Sequence, residues 1–138
     1  METWTVHVDG AARGNPGPAG IGIVIADETG NVVKEVGEPL GHTTNNVAEY
    51  KAMIRALEEA RQLGCERITV YTDSELMAHQ LNGRYMVKAE HLLPLFQRAR
   101  GLLRLFTSAT VTHVRREKNK RADALSNIGA DQVKTDGV

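Results

Sequence analysis

The chain has 138 residues, 41% of them hydrophobic and 25% charged, which fits one globular domain able to bury a core without disulfides or a structural metal. Its 17 basic residues balance its 17 acidic ones, so net charge alone gives no support for a nucleic-acid partner. The lone Cys65 excludes an internal disulfide, and no apolar run approaches the roughly 18 residues of a membrane span, so a cytoplasmic protein without a membrane partner is expected.

In Trp4-Thr5-Val6-His7-Val8-Asp9 the apolar residues alternate with Thr5, His7 and Asp9, which predicts a two-faced strand ending in an acid. Gly14-Asn15-Pro16-Gly17-Pro18 follows as a turn. Taken alone, Asp9-Gly10 reads equally well as hairpin chemistry. A second strand covers Gly20 to Ala26, where Gly20 and Gly22 mark either a close backbone approach or a bulge. A third covers Asn31 to Val36, and Pro39 to Asn46 is expected to be a loop.

Asn45 or Asn46 can cap the helix that continues to about Leu63, with Gly64 as its stop. Its apolar stripe is Val47, Tyr50, Met53, Ile54, Leu57 and Ala60, and Lys51, Arg55, Glu58 and Gln62 face solvent. Glu49 lies on the flank of the sheet-facing side, where desolvation is costly without a positive partner. An acid that suits the first helical turn is the alternative reading.

Ile68 to Asp73 is a strand that again ends in an acid, and Ser74 to Leu81 is a short helix capped by Asp73 or Ser74. Strand, helix, strand implies a right-handed parallel crossover, which would bring Asp9 and Asp73 side by side at the carboxyl edge of the sheet. A helix over Glu90 to Leu105, a strand over Ala109 to Val114, a basic loop from Arg115 to Arg121 and a helix beginning near Ala122 complete one domain over residues 1–130. Residues 131–138 read as a tail. Residues 1–69 carry a charge of −4 and residues 70–138 a charge of +4, compatible with an acidic centre beside a basic surface or with a solvated face.

Asp9, Glu49, Asp73 and Asp123 therefore stand out by position. Gathered together, they would repel one another unless hard divalent cations joined them, and without a Cys/His cluster magnesium or manganese is favoured over zinc. Two such ions suit phosphodiester hydrolysis. Asp123 is the least secure, because helical geometry places it off the apolar stripe, as a solvent-exposed acid at a helix start.

Asp9 with Gly14-Asn15-Pro16-Gly17, Thr44-Asn45-Asn46-Val47-Ala48-Glu49, Thr72-Asp73-Ser74 and Ala122-Asp123-Ala124-Leu125 together resemble type 1 ribonuclease H. The resemblance covers about Thr3 to Gly129 and is to the short archaeal-like and plant-like branch. It implies an α/β ribonuclease H-like fold, with a five-stranded mixed sheet of order 3-2-1-4-5 and helices on both faces. It further implies metal-dependent endonuclease action on the RNA strand of RNA/DNA hybrids, leaving 5′-phosphate and 3′-hydroxyl ends. Asp9, Glu49, Asp73 and Asp123 become catalytic ligands for two Mg²⁺ ions, or Mn²⁺, which reverses the reading of Asp123. Asn15, Asn45 and Asn46 become contacts to the hybrid that read the RNA 2′-OH, Thr44 lies near a DNA phosphate, and Ser74 joins the substrate contacts.

Two departures from the family pattern stand out. Asn82 to Glu90 leaves no room for the basic protrusion of some members, so hybrid binding is expected either to be weaker or to lean on phosphate contacts from Arg115, Arg116, Lys118, Lys120 and Arg121. No histidine precedes Asp123 in its loop; His113 on the strand before it is not assigned that role, and Arg115, Arg116 or Glu117 is the candidate substitute. The alternatives are a non-catalytic hybrid-binding module of the same fold and a related nuclease acting on duplex RNA or DNA. A monomer is expected.

Overall fold

The computed structural model describes residues 2–133. In chain order it contains strands β1 (Trp4–Ala12), β2 (Gly17–Ala26) and β3 (Val32–Thr43), helix α1 (Asn45–Gln62), strand β4 (Arg67–Thr72), helices α2 (Glu75–Leu81) and α3 (Leu93–Leu103), strand β5 (Ser108–His113) and helix α4 (Lys120–Asp131). The strands form one sheet ordered β3-β2-β1-β4-β5. The β1–β2 and β2–β3 pairs are antiparallel, and the β1–β4 and β4–β5 pairs are parallel. The α/β class, the mixed sheet and its order all agree with the sequence reading. Among the described residues no helix is long and apolar enough to cross a membrane.

Alternation divides the sheet into two faces. Val6, Val8, Ile21, Ile23, Ile25, Ile68 and Val70 are buried with Tyr50, Met53, Ala56 and Leu57 of α1 in the main core. His7 and Asp9 point to the opposite face, paired with Val24 and Gly22, and α4 packs there. Gly20 and Gly22 of β2 both mark close backbone approach, as one of the two readings had it. A Cβ on Gly22 would stand 1.9 Å from the Ala122 carbonyl oxygen and 2.6 Å from the Ser126 nitrogen. On the other face, a Cβ on Gly10 would stand 2.2 Å from the Ala48 carbonyl oxygen, so α1 starts directly against β1.

The structure corrects several boundaries. β1 does not end at Asp9 but continues to Ala12, and β2 begins at Gly17, so the turn between them is shorter than expected. The Asn15–Pro16 peptide in that turn is cis. β3 continues through Pro39 to Thr43 where a loop was expected. Pro39 is tolerated because β3 is an edge strand and its register shifts there, opposite Ala19 and Gly20. The cap of α1 is Thr44, whose side chain accepts the Val47 N–H, rather than either asparagine. Glu90–Leu92 is a 3₁₀ turn, so α3 itself begins at Leu93 and places Pro94 in its first turn. Of the expected tail, Asp131 closes α4, and residues 134–138 lie outside the described residues.

Edge strand β3 is tied to α1 by charge. Lys34 Nζ lies 2.6 Å and Arg55 Nε 2.8 Å from the buried Glu59 carboxylate, and Arg55 also forks onto Glu38 at 2.8 and 3.1 Å. Arg55 is therefore half-buried and paired, not one of the solvent-side residues the helix wheel made it.

Because the Ala122 and Ser126 backbone cannot retreat without moving α4, Gly22→Ala is expected to cost about 3 kcal/mol or more of stability. Chemical denaturation followed by circular dichroism measures it. A loss below about 0.5 kcal/mol would mean that α4 sits farther from β2 than the contacts of Gly22 with Ala122 and Ser126 place it.

Candidate active site

The site grows out of strand length. The last parallel pair between β1 and β4 is Val8 with Thr72, so β4 stops where β1 still has four residues to run. Asp9 lies one residue past that last pair, and Asp73 directly follows the end of β4. The Ser74 N–H donates to Thr72 Oγ1 at 3.0 Å and turns the chain into α2, whose cap is Ser74 itself. Glu49 arrives from the other face, because α1 begins against Gly10. The Gly10 N–H donates to Glu49 Oε1 at 2.5 Å, a contact that an alanine at position 10 would obstruct.

Asp9, Glu49 and Asp73 each offer a carboxylate oxygen, and these oxygens lie within 4.8 Å of one another. Asp9 and Glu49 are only 5% and 4% exposed. Asp123, in the first turn of α4, stands outside that compact trio but beside Asp9, half-buried rather than solvent-exposed. Burial pushes the Asp9 carboxyl up to about 7; the Ser126 hydroxyl works against that rise, and the charges of Asp73 and Asp123 add to it. Burial also holds the Glu49 carboxyl well above the ordinary range, with the Asp9 charge adding, while the Gly10 amide and the Arg116 charge pull the other way. These are oxygen donors with too little positive charge around them, an environment suited to a hard divalent cation.

The candidate substrate residues fall into groups. Asn15 Oδ1 accepts the Asn45 N–H at 3.1 Å, and Asn45 Oδ1 accepts the Ala12 N–H at 3.2 Å. The β1–β2 turn and the start of α1 are thus stitched together by side-chain acceptors. Thr44 and Ser74 are both helix caps. Asn46 opens onto a groove of about 510 Å³ lined also by Leu76, Gln80, Tyr85 and Met86, with Arg84 and Lys88 alongside.

Arg115 and Arg116 are exposed between β5 and α4, and Arg116 is near enough to act on Glu49. Lys118 instead borders a separate hollow with His7 and Arg121. Arg121, expected to meet phosphate, forks onto Glu35 at 2.8 and 2.9 Å. His113 ends β5 exposed, opposite Thr72.

Sequence reasoning missed two site residues. Ser126 Oγ lies 2.6 Å from Asp9 Oδ2. Its only sequence signal was its place three residues after Asp123, one turn along the same helix face. Asn119, 1% exposed, looks like a helix cap, yet its Nδ2 donates to the Val8 carbonyl at 2.8 Å and makes no cap bond. That bond ties the start of α4 to the residue preceding Asp9.

A family model described as "Reverse transcriptase-like" matches residues 7–129. The Ribonuclease H of Dechloromonas aromatica is 32% identical over 148 residues, covering 96% of this chain and 97% of that protein. The chain belongs to the ribonuclease H family. Ribonuclease HI of Halobacterium salinarum is 45% identical over 127 residues, which is 92% of this chain. The chain spans 64% of that relative's length and 35% of a Mycobacterium tuberculosis relative's length. Among solved structures, LC11-RNase H1 in complex with an RNA/DNA hybrid superposes with a TM-score of 0.88 at 43% identity, covering 94% of this chain and 97% of that one.

The raised carboxyls predict how the metal-free protein responds to pH. The unfolded Asp9 ionises near 3.8, while the folded one keeps its proton to about 7. The folded state therefore binds more protons between these values, and this stabilisation, full below the lower value, is lost as pH rises through the upper one. In EDTA the melting temperature is expected to fall between about pH 4 and pH 7, and a divalent cation to restore it at the upper end by binding the folded state. A flat profile in EDTA would show that the carboxylates are hydrated rather than crowded.

Proposed function

We propose that the chain is a metal-dependent endonuclease that hydrolyses the RNA strand of RNA/DNA hybrids, leaving 5′-phosphate and 3′-hydroxyl ends. The observation that carries this reading is the convergence of Asp9, Glu49 and Asp73 oxygens within 4.8 Å, beside polar loops, in a member of the ribonuclease H family. The hybrid bound in the LC11-RNase H1 structure supports the substrate class.

Asp9, Glu49 and Asp73 would hold one Mg²⁺ or Mn²⁺ ion, and Asp9 with Asp123 a second. Bound there, such ions supply an acidified water and charge compensation for the leaving oxygen. The protein's own part is to hold the scissile phosphate in register. Hydrogen-bond polarity supports the assignment of that surface. Asn15 and Asn45 spend their Oδ1 atoms on backbone N–H groups. Among the described residues their Nδ2 groups have no protein acceptor, so each presents a donor.

Thr44 and Ser74 likewise use their hydroxyl oxygens as cap acceptors, which leaves each hydroxyl hydrogen to donate. A cluster of outward donors suits 2′-hydroxyl and phosphate oxygens, which accept. Beyond Asn46, the groove rimmed by Tyr85 and Met86 offers apolar area to the sugars of the second strand. Arg84 and Lys88 beside it, and Arg115 and Arg116 across the site, serve phosphates in place of a basic protrusion. The reading includes a monomer in a reducing, cytoplasmic compartment, which the buried Cys65 thiol suits.

Uniformly labelled hybrid, duplex RNA and duplex DNA, each incubated with Mg²⁺, Mn²⁺ or EDTA, test this directly. Cleavage of the hybrid's RNA strand alone, and only with metal, is expected. Asp73→Asn is expected to keep the native circular dichroism spectrum and lose cleavage by about 10²–10³-fold or more. Hybrid binding without cleavage under either metal would make the chain a binding module, and equal cleavage of duplex RNA or DNA would change its substrate class.

A further inference from the structure

Ser126 is fully buried in α4, one turn beyond Asp123. Its Oγ lies 2.6 Å from Asp9 Oδ2 and 2.8 Å from the main-chain oxygen of Asp123. A serine hydroxyl has one hydrogen and can donate to only one of them. The Asp123 carbonyl already receives the Asn127 Nδ2 amide at 3.0 Å. Among the described residues no N–H group is hydrogen-bonded to Asp9 Oδ2, and the Asp123 carboxyl is the other side chain against Asp9. Once Asp9 is ionised, as a cation ligand is, its carboxylate at 2.6 Å is a stronger acceptor than a neutral carbonyl that is already served, so the hydrogen then points at Asp9.

We propose that Ser126 is a positioning residue for the cation site: its hydroxyl fixes the plane of the Asp9 carboxylate and couples it to the helix that carries Asp123. The proposal rests on the metal-dependent reading above. An aspartate's terminal torsion is broad, so Asp9 left to itself would present its oxygens over a range of angles. Ser126 is a firm anchor because its own backbone is pinned. The Ser126 nitrogen stands 2.6 Å from where a Gly22 Cβ would be, and its carbonyl oxygen 2.2 Å from where a Gly20 Cβ would be. α4 therefore rests on bare β2 backbone at the residue that reaches Asp9. Each cation site that uses Asp9 then inherits an orientation set from α4.

The test is an Mn²⁺ titration of the substrate-free protein, with free Mn²⁺ read by electron paramagnetic resonance, on the wild type, Ser126→Ala, Ser126→Cys and Asp73→Asn. Loss of a hydrogen bond that orients a metal ligand weakens binding by roughly 10–100-fold. Both Ser126 variants are expected to show a dissociation constant raised about tenfold, the cysteine included because a thiol is a weak donor that keeps the volume. The Mn²⁺ concentration at half-maximal hybrid cleavage should rise by the same factor. Wild-type Mn²⁺ affinity in both folded Ser126 variants, with only the metal-free melting temperature lowered, would leave Ser126 a packing residue and overturn the proposal. Wild-type protein binding Mn²⁺ no better than Asp73→Asn would overturn the metal reading itself and this proposal with it.

Discussion

The carboxyl end of the sheet depends on how closely two helices approach its backbone. α1 meets β1 at Gly10 and α4 meets β2 at Gly20 and Gly22, in each case at a distance no Cβ would permit. Ordinary side chains at these positions would lift each helix away from the sheet. Glu49 would then lose the Gly10 amide, and Asp123 and Ser126 would withdraw from Asp9. Three glycines without side chains thus set the position of three functional side chains on other elements.

Those contacts act against electrostatics. Asp9, Glu49 and Asp73 are drawn together by backbone geometry although their charges repel and two of them are buried. The surrounding bonds hold the arrangement: the Gly10 amide on Glu49, the Ser126 hydroxyl beside Asp9, and the Asn119 amide on the carbonyl just before Asp9. None of these supplies a full positive charge, and Arg116 reaches only Glu49 from a distance. A folded protein that keeps such a cluster stores repulsion that cation binding relieves, which links affinity for metal to stability.

The surface charge follows a similar economy. Net charge is zero, and several cations are taken up within the molecule: Arg13 by Asp131, Arg55 by Glu38 and Glu59, Arg98 by Glu58 and Arg121 by Glu35. Arg115 and Arg116 remain exposed beside the site, with Arg115 only 3.9 Å from Glu117 across solvent. A simple count of basic residues along the loop therefore overstated the positive surface. Groups such as the Nδ2 amides of Asn15 and Asn45 carry part of that work as neutral donors.

Most of the framework was legible in the sequence because local rules govern it. Alternation around Val6 and Val8 and the crossover from β1 through α1 to β4 placed Asp9 beside Asp73. The stripe of α1 put Glu49 toward the sheet. The end of α1 was marked by Gly64, at φ +88°. Local rules failed where an edge strand could absorb Pro39, and where Thr44 rather than its asparagine neighbours took the cap. Periodicity tells which face of a helix is apolar, but not which atom more than a hundred residues away will meet its flank. Helical geometry alone thus read Asp123, off the stripe of α4, as a solvent acid, a reading that the family resemblance reversed and the seating of α4 on bare β2 backbone explains, while Ser126 and Asn119 gave no chemical signal of their bonds to β1. The sequence by itself determined the order of the main elements and three acids, Asp9 on β1, Asp73 just past β4 and Glu49 near the start of α1. Only the tertiary structure decided the bonds that orient them, because those bonds join residues 8 and 9 to residues 119 and 126, and such pairing arises from packing rather than from local pattern.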